Sequence, residues 1–574
     1  MLAPLIEHRT MKKHILFFVF TLLPFYVSSA QVTAKRLQSE AAQESLMVRN
    51  YEFVKSRDPW LKHCNAAALT RFSAPNIAEA ELSLSRQGGG LVNYDGSPSV
   101  FQFDATAEAF YRLSRRTVVF GSIAYDNFSG NDMSGSVFMP STLHSQLSTL
   151  NSPLSSLHSR LSTLRPFDIV EENTENEGRK HSDTYCLSGG VGVDVWHGYA
   201  LGARLDYTAA NYAKYEDLRH KNKLMDLAFS VGGYAPVLSW LNLGANYIYH
   251  RNTESVSFST YGKSEKVYKS LINYGAFFGT WEQFGNEGYT DKSREMPLFE
   301  DGHHGNVQLE LRPLHQLSVL ATFGFGKGKG YYGRQSPYTI TYTQHERRTK
   351  EVTLSLVYTP SHRLDFAYRN EKLANRAETF REMKNTSGAS YYVYYDPVET
   401  ADKQLQNLSV AYTASLGVRG ETPTWNLQVA WQWFQREQLN YLFPFYRHQK
   451  LSAYECALGV SRNIFFRRGI LSCSLKGALC KGTGAPYDDG TFVAPSKKQE
   501  QPATADVFLY RECQYLTAPQ YAVGGSVKYA FVFPGTRLKT HVRFDLSHRK
   551  GNGTLLYSRG CDRTQGTIAV GCTF

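Results

Sequence analysis

Ten charged residues are the strongest candidates for chemistry in this chain, because they alternate with apolar residues along several segments. Side chains two residues apart on an extended segment share a face, so these charges gather on one polar face. Charges that line a lumen select the solutes that pass through it. The alternative is that they pair with one another and line a filled interior. The ten pore-lining candidates are Asp194, Arg204, Asp206, Asp226, Glu310, Arg312, Lys476, Lys528, Arg543 and Asp545.

Signatures of catalysis and metal binding are weak. Residues 324–330, Gly-Phe-Gly-Lys-Gly-Lys-Gly, lack the Gly-Lys-Ser/Thr ending and the following helix of a phosphate loop, which predicts a strand running into a basic loop. His303 and His304 have only Glu300 and Asp301 nearby, which favours a solvated loop over surface metal binding. Neither Gly-x-Ser-x-Gly nor His-Glu-x-x-His occurs. We therefore expect no catalytic residues, no metal and no cofactor, and a protein that is not an enzyme.

The segments that carry the charges have the pattern of long strands. In residues 201–207, for example, Leu and Tyr alternate with Arg204 and Asp206. The alternating segments are about 9–13 residues long, which exceeds the usual strand of soluble sheets and suits a tilted membrane strand. Short turns such as 197–198 and 534–535 alternate with connections of about 12 to over 50 residues, as in bacterial barrels. A β-sandwich has no reason for this strict alternation.

The last nine residues, 566–574, form one more alternating segment. Phe574, Val570 and Ile568 fall on one face, and Thr573 and Thr567 fall on the other. A terminal aromatic residue on such a strand is typical of the C-terminal assembly signal of outer-membrane β-barrels. The pattern predicts a closing strand with its apolar side toward lipid.

The N-terminus has the features of an export signal. Basic residues at 12–13 precede an apolar run over 15–27 and a small-residue cleavage site at 28–30, so we expect a signal peptide over residues 1–30. Met11 is an alternative start. No later run of about 18 apolar residues follows, so a transmembrane helix is not expected. In a bilayer the remaining way to satisfy every backbone group is a closed barrel.

The net charge of +12 suits anionic lipopolysaccharide as a partner, although it can also serve to solvate long loops. Nucleic acid is not expected as a partner. The eight cysteines show no metal-ligand spacing, and Cys480 and Cys513 flank one predicted loop that they could join as a disulfide.

Two connections stand out. Residues 141–164 repeat Ser, Thr and Leu with heptad spacing, but Pro153 costs about 3 kcal/mol inside a helix, which favours a repeat expansion in an outer loop over a coiled coil. Residues 252–303 are long enough to fold into the lumen as a constriction or to cap the barrel outside.

The segment before the first strand carries a resemblance. Asp58-Pro59-Trp60-Leu61 and the run Asn65-Ala-Ala-Ala-Leu69 precede the strands. The second run is similar to the Asn-Pro-Ala-Gly-Leu motif of fatty-acid-transporter-like barrels, with Ala in place of Pro and Gly. The layout of nearly the whole mature chain resembles a Bacteroidota family of outer-membrane β-barrel proteins of unknown function.

These patterns predict an all-β protein, a transmembrane antiparallel β-barrel of about 18 strands (16–20) with short periplasmic turns and long extracellular loops. Residues 31–76 would form a periplasmic or plug-like segment and residues 77–574 the barrel, in the bacterial outer membrane. We expect a channel or transporter for small solutes, with a small molecule or lipid as cargo and the barrel-assembly machinery as a partner. The alternative is a non-conducting barrel that acts through its loops in surface interaction or secretion.

A gel tests the barrel directly. Outer-membrane barrels resist unfolding by detergent until heated, so boiled and unboiled samples of an outer-membrane fraction should migrate differently. Equal migration, or recovery of the protein from the soluble periplasm, would count against the barrel.

Overall fold

The computed structural model describes residues 50–62, 65–140, 164–171, 177–261, 266–283, 289–290, 295–336, 338–359, 361–466, 469–533, 538–553 and 555–574. The predicted signal peptide, residues 31–49, Cys64 and residues 141–163 of the predicted repeat lie outside these ranges. No helix in the described part of the chain is long and apolar enough to span a membrane.

Eighteen antiparallel strands form the wall of a closed barrel, as the sequence predicted. Each strand pairs with its neighbours along the chain, and β1 pairs with β25. The wall strands are β1 Ile77–Gly88, β2 Ser99–Arg112, β3 Thr117–Met133, β5 Gly178–Trp196, β6 Tyr199–Lys214, β7 Arg219–Leu238, β8 Leu241–Ser259, β11 Met296–Leu314, β12 Leu317–Ser336, β13 Thr339–Tyr358, β14 His362–Ala377, β17 Val398–Leu416, β18 Trp425–Leu442, β19 Phe445–Phe466, β20 Gly469–Gly484, β23 Gln520–Val532, β24 Lys539–Gly551 and β25 Asp562–Thr573.

The C-terminal segment closes the barrel between the first strand and the last hairpin. Ile568 lies opposite Leu84 of β1 and opposite Phe544 of β24. The backbone N–H of Phe574 donates to the carbonyl oxygen of Ala78 at 2.8 Å. This pairing leaves no sheet edge at the seam, which is the condition for a sheet to stand in lipid.

Side chains alternate across the wall at this seam. Ile568, Val570 and Phe574 are each about half exposed on the outward face, whereas Ala569 and Thr573 are buried on the inward face. Large apolar side chains are exposed in the same way on the other wall strands, and together they form an outward apolar band. Since soluble proteins rarely expose so many large apolar side chains, this band fits contact with lipid.

The wall strands are longer than the sequence predicted. They run from 12 residues in β1 and β25 to 22 residues in β19. At about 3.3 Å per residue and a tilt of about 45°, the longest strand rises about 50 Å, which exceeds a hydrocarbon core of about 30 Å. The wall therefore projects beyond the membrane at the end that carries the long connections, here called the long-loop end; the opposite end is the short-turn end.

The remaining elements lie in the long connections and before β1. One helix, α1, and two 3-10 helices precede the barrel, and the inner sheet consists of β4, β9, β10 and β22. These elements are α1 Tyr51–Ser56, the 3-10 helices Pro59–Lys62 and Ala66–Arg71, β4 Asp168–Glu171, β9 Lys269–Gly275, β10 Phe278–Gln283, the hairpin β15 Phe380–Lys384 and β16 Ser390–Tyr394, β21 Asp488–Thr491, β22 Ala503–Thr504 and α2 Asp506–Thr517.

A single charged substitution tests whether the outward apolar band contacts lipid. We expect Val570→Arg to lower the free energy of unfolding in bilayers by about 2–4 kcal/mol, because it places a cation in hydrocarbon. Leu556→Arg is the matched control, since Leu556 lies in the exposed connection between β24 and β25. Urea unfolding in lipid vesicles measures both. Equal effects of the two substitutions would show that Val570 does not face lipid.

Candidate functional site

Residues 50–62 and 65–72, here called the plug, lie inside the barrel at the short-turn end. The side chain of Asn50 caps α1 by accepting from the backbone N–H of Phe53 at 3.0 Å. Lys55 on α1 pairs with Glu108 on β2 at 2.7 Å. Trp60 is buried and packs edge-on against Tyr234 of β7, with ring centroids 5.3 Å apart. These contacts attach the plug to two wall strands, β2 and β7, that lie four strands apart around the barrel.

Glycines let the plug approach the wall backbone to backbone. A Cβ atom on Gly202 of β6 would lie 2.2 Å from the backbone nitrogen of Ala67. A Cβ atom on Gly232 of β7 would lie 2.4 Å from Oδ1 of Asn65. The amide of Asn65 donates to the carbonyl oxygen of Gly233 at 3.0 Å and to Gln308 at 2.7 Å. Larger residues at Gly202 or Gly232 would push the plug away from the wall.

The structure places the predicted charges on the inward face and joins most of them in pairs. Many pairs are formed by residues two apart on one strand, as the shared face requires. Lys476 forms no ion pair with any described residue, and Asp194 accepts from the backbone N–H of Gly198 at 3.1 Å. The other contacts are Arg204–Asp206 at 2.7 Å, Glu310–Arg312 at 2.8 Å, Arg543–Asp545 at 3.0 Å, Arg543–Glu81 at 2.8 Å, Lys528–Glu79 at 3.8 Å and Asp226–His250 at 2.9 Å. Their role as pore-lining residues stays a prediction.

The inner sheet fills the lumen at the long-loop end. It combines strands from three connections: β4 follows β3, the hairpin of β9 and β10 follows β8, and β22 with α2 follows β20. Ile169 of β4 lies opposite Ile272 of β9, and Phe278 of β10 lies opposite Thr504 of β22. Ile169 and Ile272 are fully buried. Of the predicted connection 252–303, residues 252–259 and 296–303 belong to the wall strands β8 and β11, whereas β9 and β10 adopt the arrangement inside the lumen.

A cavity of about 110 Å³, here called the chamber, lies between the inner sheet, α2 and the wall. Since one water occupies about 30 Å³ of liquid, the chamber has room for about four waters or a ligand with few non-hydrogen atoms. Three acidic and three basic side chains line it. These side chains are Asp95, Asp168, Glu512, Arg165, Lys403 and Arg436.

Two cations of the chamber keep unused hydrogen-bond donors. Lys403 of β17 is buried, and its ammonium donates to the carbonyl oxygens of Arg165 at 2.8 Å and Pro166 at 3.1 Å. It forms no ion pair with a carboxylate of the described residues, so one of its three N–H donors is free to reach the chamber. Arg436 of β18 binds Glu512 through both terminal nitrogens, at 2.8 and 2.7 Å. Its Nε has no partner among the described residues. The acceptor Oδ1 of Asn273 also lacks a hydrogen-bond partner among the described residues.

The acidic side chains of the chamber lie in connections between wall strands. Asp168 accepts from the hydroxyl of Ser136 at 2.7 Å and from that of Tyr94 at 3.0 Å. Burial raises the pKa of Asp95 to about 6, against the opposing effect of Arg165. Protonation of Asp95 below that pH removes one negative charge from the chamber and so favours an anion.

Sequence reasoning missed the cations of the chamber and a neighbouring network. Arg347 of β13 donates to Glu300 of β11 at 2.8 Å and also binds Glu371 of β14, which accepts from the backbone N–H of Leu164 at 2.9 Å. Extending the period-two pattern of each strand toward the long-loop end would have placed Arg347 and Arg436 on the inward face. Their partners could not be found in this way, because they lie on distant segments.

Two predicted loops are strands in the structure. Residues 303–304 lie within β11, and residues 324–330 lie within β12. The loop prediction was wrong for residues 303–304 and for the basic part of 324–330, because the outward residues His303, Lys327 and Lys329 are polar and hide the strand pattern. A Cβ atom on Gly326 would lie 2.0 Å from Nδ1 of His304, so the inward glycines of β12 make room for side chains of β11. No cluster of three metal-binding side chains occurs in the described ranges.

The two cysteines of the predicted disulfide lie in one buried cluster. Cys480 of β20 and Cys513 of α2 pack there with Leu451 and Leu516. Both are thiols in the structure, and none of the described cysteines is in a disulfide. Burial raises the pKa of the Cys513 thiol. The predicted bond is therefore not formed here, although the two residues lie in the same cluster.

The wall, the plug and the inner sheet define an outer-membrane-type β-barrel with a filled lumen. The chain belongs to a family of unknown function, DUF6850, whose model matches residues 173–574. No curated protein matches the sequence significantly.

Solved outer-membrane barrels are similar over most of their length. The outer membrane transporter YddB from Escherichia coli is 7% identical with a TM-score of 0.40, over 87% of this chain and 81% of that one. The FrpB iron transporter from Neisseria meningitidis is 7% identical with a TM-score of 0.39, over 89% and 83%. The alcaligin outer membrane receptor FauA from Bordetella pertussis is 9% identical with a TM-score of 0.37, over 87% and 76%.

The docking of the plug should depend on pH through Asp58. Burial raises the pKa of this carboxyl from 3.8 to about 6, although the backbone N–H of Trp60, which donates to it at 3.0 Å, acts in the opposite direction. The docked plug then binds a proton more tightly than the undocked one, so docking is strongest below about pH 4 and weakens as pH rises through 6.

Hydrogen exchange of residues 51–71 at pH 5 and pH 7.5 measures this dependence. We expect faster exchange at pH 7.5 in the native protein and a much smaller difference in Asp58→Asn, which keeps the acceptor oxygen without the charge. An unchanged difference in Asp58→Asn would assign the pH dependence to another group.

Proposed function

We propose that this protein is an outer-membrane barrel that carries a small polar solute through a lumen that is closed at rest. The observation that supports this function is the chamber, where buried polar groups with unused bonding capacity lie between two closures. An unsatisfied buried polar group costs about 1–3 kcal/mol, so such groups are seldom kept without a partner that binds them. The outward apolar band supports a position in the outer membrane.

The chamber suits a solute with an anionic group. The free donor of Lys403 and the Nε of Arg436 would bind a carboxylate or phosphate oxygen, as cationic donors commonly do. The Oδ1 of Asn273 would accept from a donor on the same solute. The volume of about 110 Å³ limits the bound part to a few non-hydrogen atoms. Passage then requires that the inner sheet and the plug move in turn.

This proposal differs from an open channel. An open channel needs charges that face water along a continuous path. Here most of the predicted lining residues bond with one another, and the plug and the inner sheet occupy the two ends of the lumen. The inward charges therefore mainly pair with one another inside a filled lumen. The plug must be displaced before a solute passes.

A non-conducting barrel that interacts through its loops is the second candidate. The observation in its favour is the hairpin of β15 and β16 at the long-loop end, which carries the exposed residues Met383, Val393 and Tyr395. Exposed apolar and aromatic side chains on a projecting hairpin are typical of a contact surface for another macromolecule. In this case the lumen would never conduct.

Leakage from proteoliposomes distinguishes the two functions. We expect Gly202→Val to increase the leakage of a small anion such as acetate, because the new side chain displaces the plug at Ala67 and leaves the inner sheet as the single closure, so that each opening of the inner sheet opens the lumen. Overpacking of this kind costs about 1–3 kcal/mol. Each 1.4 kcal/mol raises the undocked population about tenfold.

Gly233→Val is the matched control. A Cβ atom on Gly233 would meet only the side chain of Leu201 at 3.8 Å and the carbonyl of Ala200 at 3.9 Å, away from the plug. Leakage equal to that of the native protein is expected for this variant. If Gly202→Val folds, as judged by its gel shift, and still does not leak, the solute-carrying function is wrong and the loop-mediated one is favoured.

A further inference from the structure

Cationic side chains stand in register on the outward face of β12, β13 and β14. Arg348 of β13 lies directly opposite Lys327 of β12 on one side and opposite Lys372 of β14 on the other. Lys329 follows two residues after Lys327, and Lys350 follows two residues after Arg348, on the same face. All five side chains are exposed. We call these five residues the cationic surface.

The cationic surface has too few acidic neighbours to balance it. Glu346 pairs with Lys327 at 3.2 Å and with Arg348 at 2.9 Å. Lys329, Lys350 and Lys372 form no ion pair with any described residue. A second carboxylate, Asp301, lies opposite Lys329 but pairs with Arg251 at 2.9 Å. The carboxylates on this face are therefore fewer than the cations, whereas the inward charges of the same barrel are mostly paired.

Like charges directly opposite one another destabilise a sheet. Glu346 offsets part of the repulsion between Lys327 and Arg348 in this cross-strand row, but Arg348 and Lys372 repel one another unless a further anion lies between them. Exposed cations could relieve this repulsion by turning their side chains apart into solvent, but the same face of the sheet must also lie close to the membrane. The arrangement is explained if an anion from outside the chain binds there.

The position of the cationic surface identifies the source of that anion. Phe325 precedes Lys327 on the same face of β12, and Phe323 lies opposite Val352, which lies opposite Tyr368. These residues belong to the outward apolar band on the short-turn side. The cationic surface thus borders the apolar band at the level where the headgroups of the long-loop leaflet would stand.

We propose that the cationic surface binds the phosphate groups of a phosphorylated glycolipid in the surrounding leaflet. Its acyl chains would lie along Phe323 and Phe325, and its phosphates would reach Lys327, Arg348 and Lys372. The guanidinium of Arg348 can bind a phosphate through two nitrogens, and the flanking ammonium groups supply further charge. This assignment explains the alternation of residues 324–330: the glycines face inward to fit the side chains of β11, and the lysines face outward to the lipid.

The experiment compares lipids bound to the purified full-length protein in detergent, by native mass spectrometry and by titration with fluorescent lipid A. The variant is K327Q/R348Q/K372Q. The control is R381Q/K497Q/K498Q, which removes the same charge from exposed residues in other connections. A gel shift on heating establishes that both variants fold, and the single variant Lys372→Gln serves if the triple variant does not.

We expect the triple variant to bind bisphosphorylated lipid A about 100-fold more weakly than the native protein, since each cation near anionic lipid contributes about a factor of five. The control variant should bind like the native protein, and lipid A without phosphates should bind weakly to all three. Equal binding by the triple variant and the native protein, or equal binding of lipid A with and without phosphates, would overturn the proposal. Competition by millimolar inorganic phosphate would overturn it in favour of a soluble anion.

Discussion

The structure depends on one constraint: a sheet in lipid must pair all of its backbone groups, and it can do so only by closing on itself. Closure joins β1 to β25 and commits eighteen strands to a wall that encloses a wide interior. Wall side chains alone cannot fill that interior, so it holds either water or other segments. Here the plug, the inner sheet and α2 occupy it, and the charged side chains that they bury must find partners.

Charge is handled differently on the two faces of the same wall. Inward, residues two apart such as Arg204 and Asp206 neutralise each other, as buried ions must. Outward, Lys327, Arg348 and Lys372 face one another with Glu346 as their one paired carboxylate among the described residues, because partners outside the chain can supply the remaining neutralisation. The glycines of β6, β7 and β12 serve both faces. Because glycine has no side chain, these residues leave space inside the wall for the plug or for a neighbouring histidine. The outward side chains between them still alternate as the strand pattern requires.

The sequence predicted the wall better than its contents. The alternation around Leu201 and the terminal Ile568, Val570 and Phe574 predicted strands, their faces and the closing seam, because membrane strands obey a local rule. Residues 303–304 and the basic part of 324–330, which lie in the middle of β11 and β12, were wrong as loops, because the outward face becomes polar there and the rule no longer holds. The chamber could not be predicted at all, since Asp95, Lys403 and Glu512 come from segments that are more than one hundred residues apart.

The inner sheet draws its strands from three connections that are far apart in the chain, and this has a consequence for how the barrel could open. Withdrawing β9 and β10 would leave β4 and β22 without partners, each with unpaired backbone groups in a buried place. Partial opening is therefore costly at every stage. The inner sheet at the long-loop end should therefore open as one unit, with all of its strands paired or all of them withdrawn. Opening would then be an infrequent, all-or-none event.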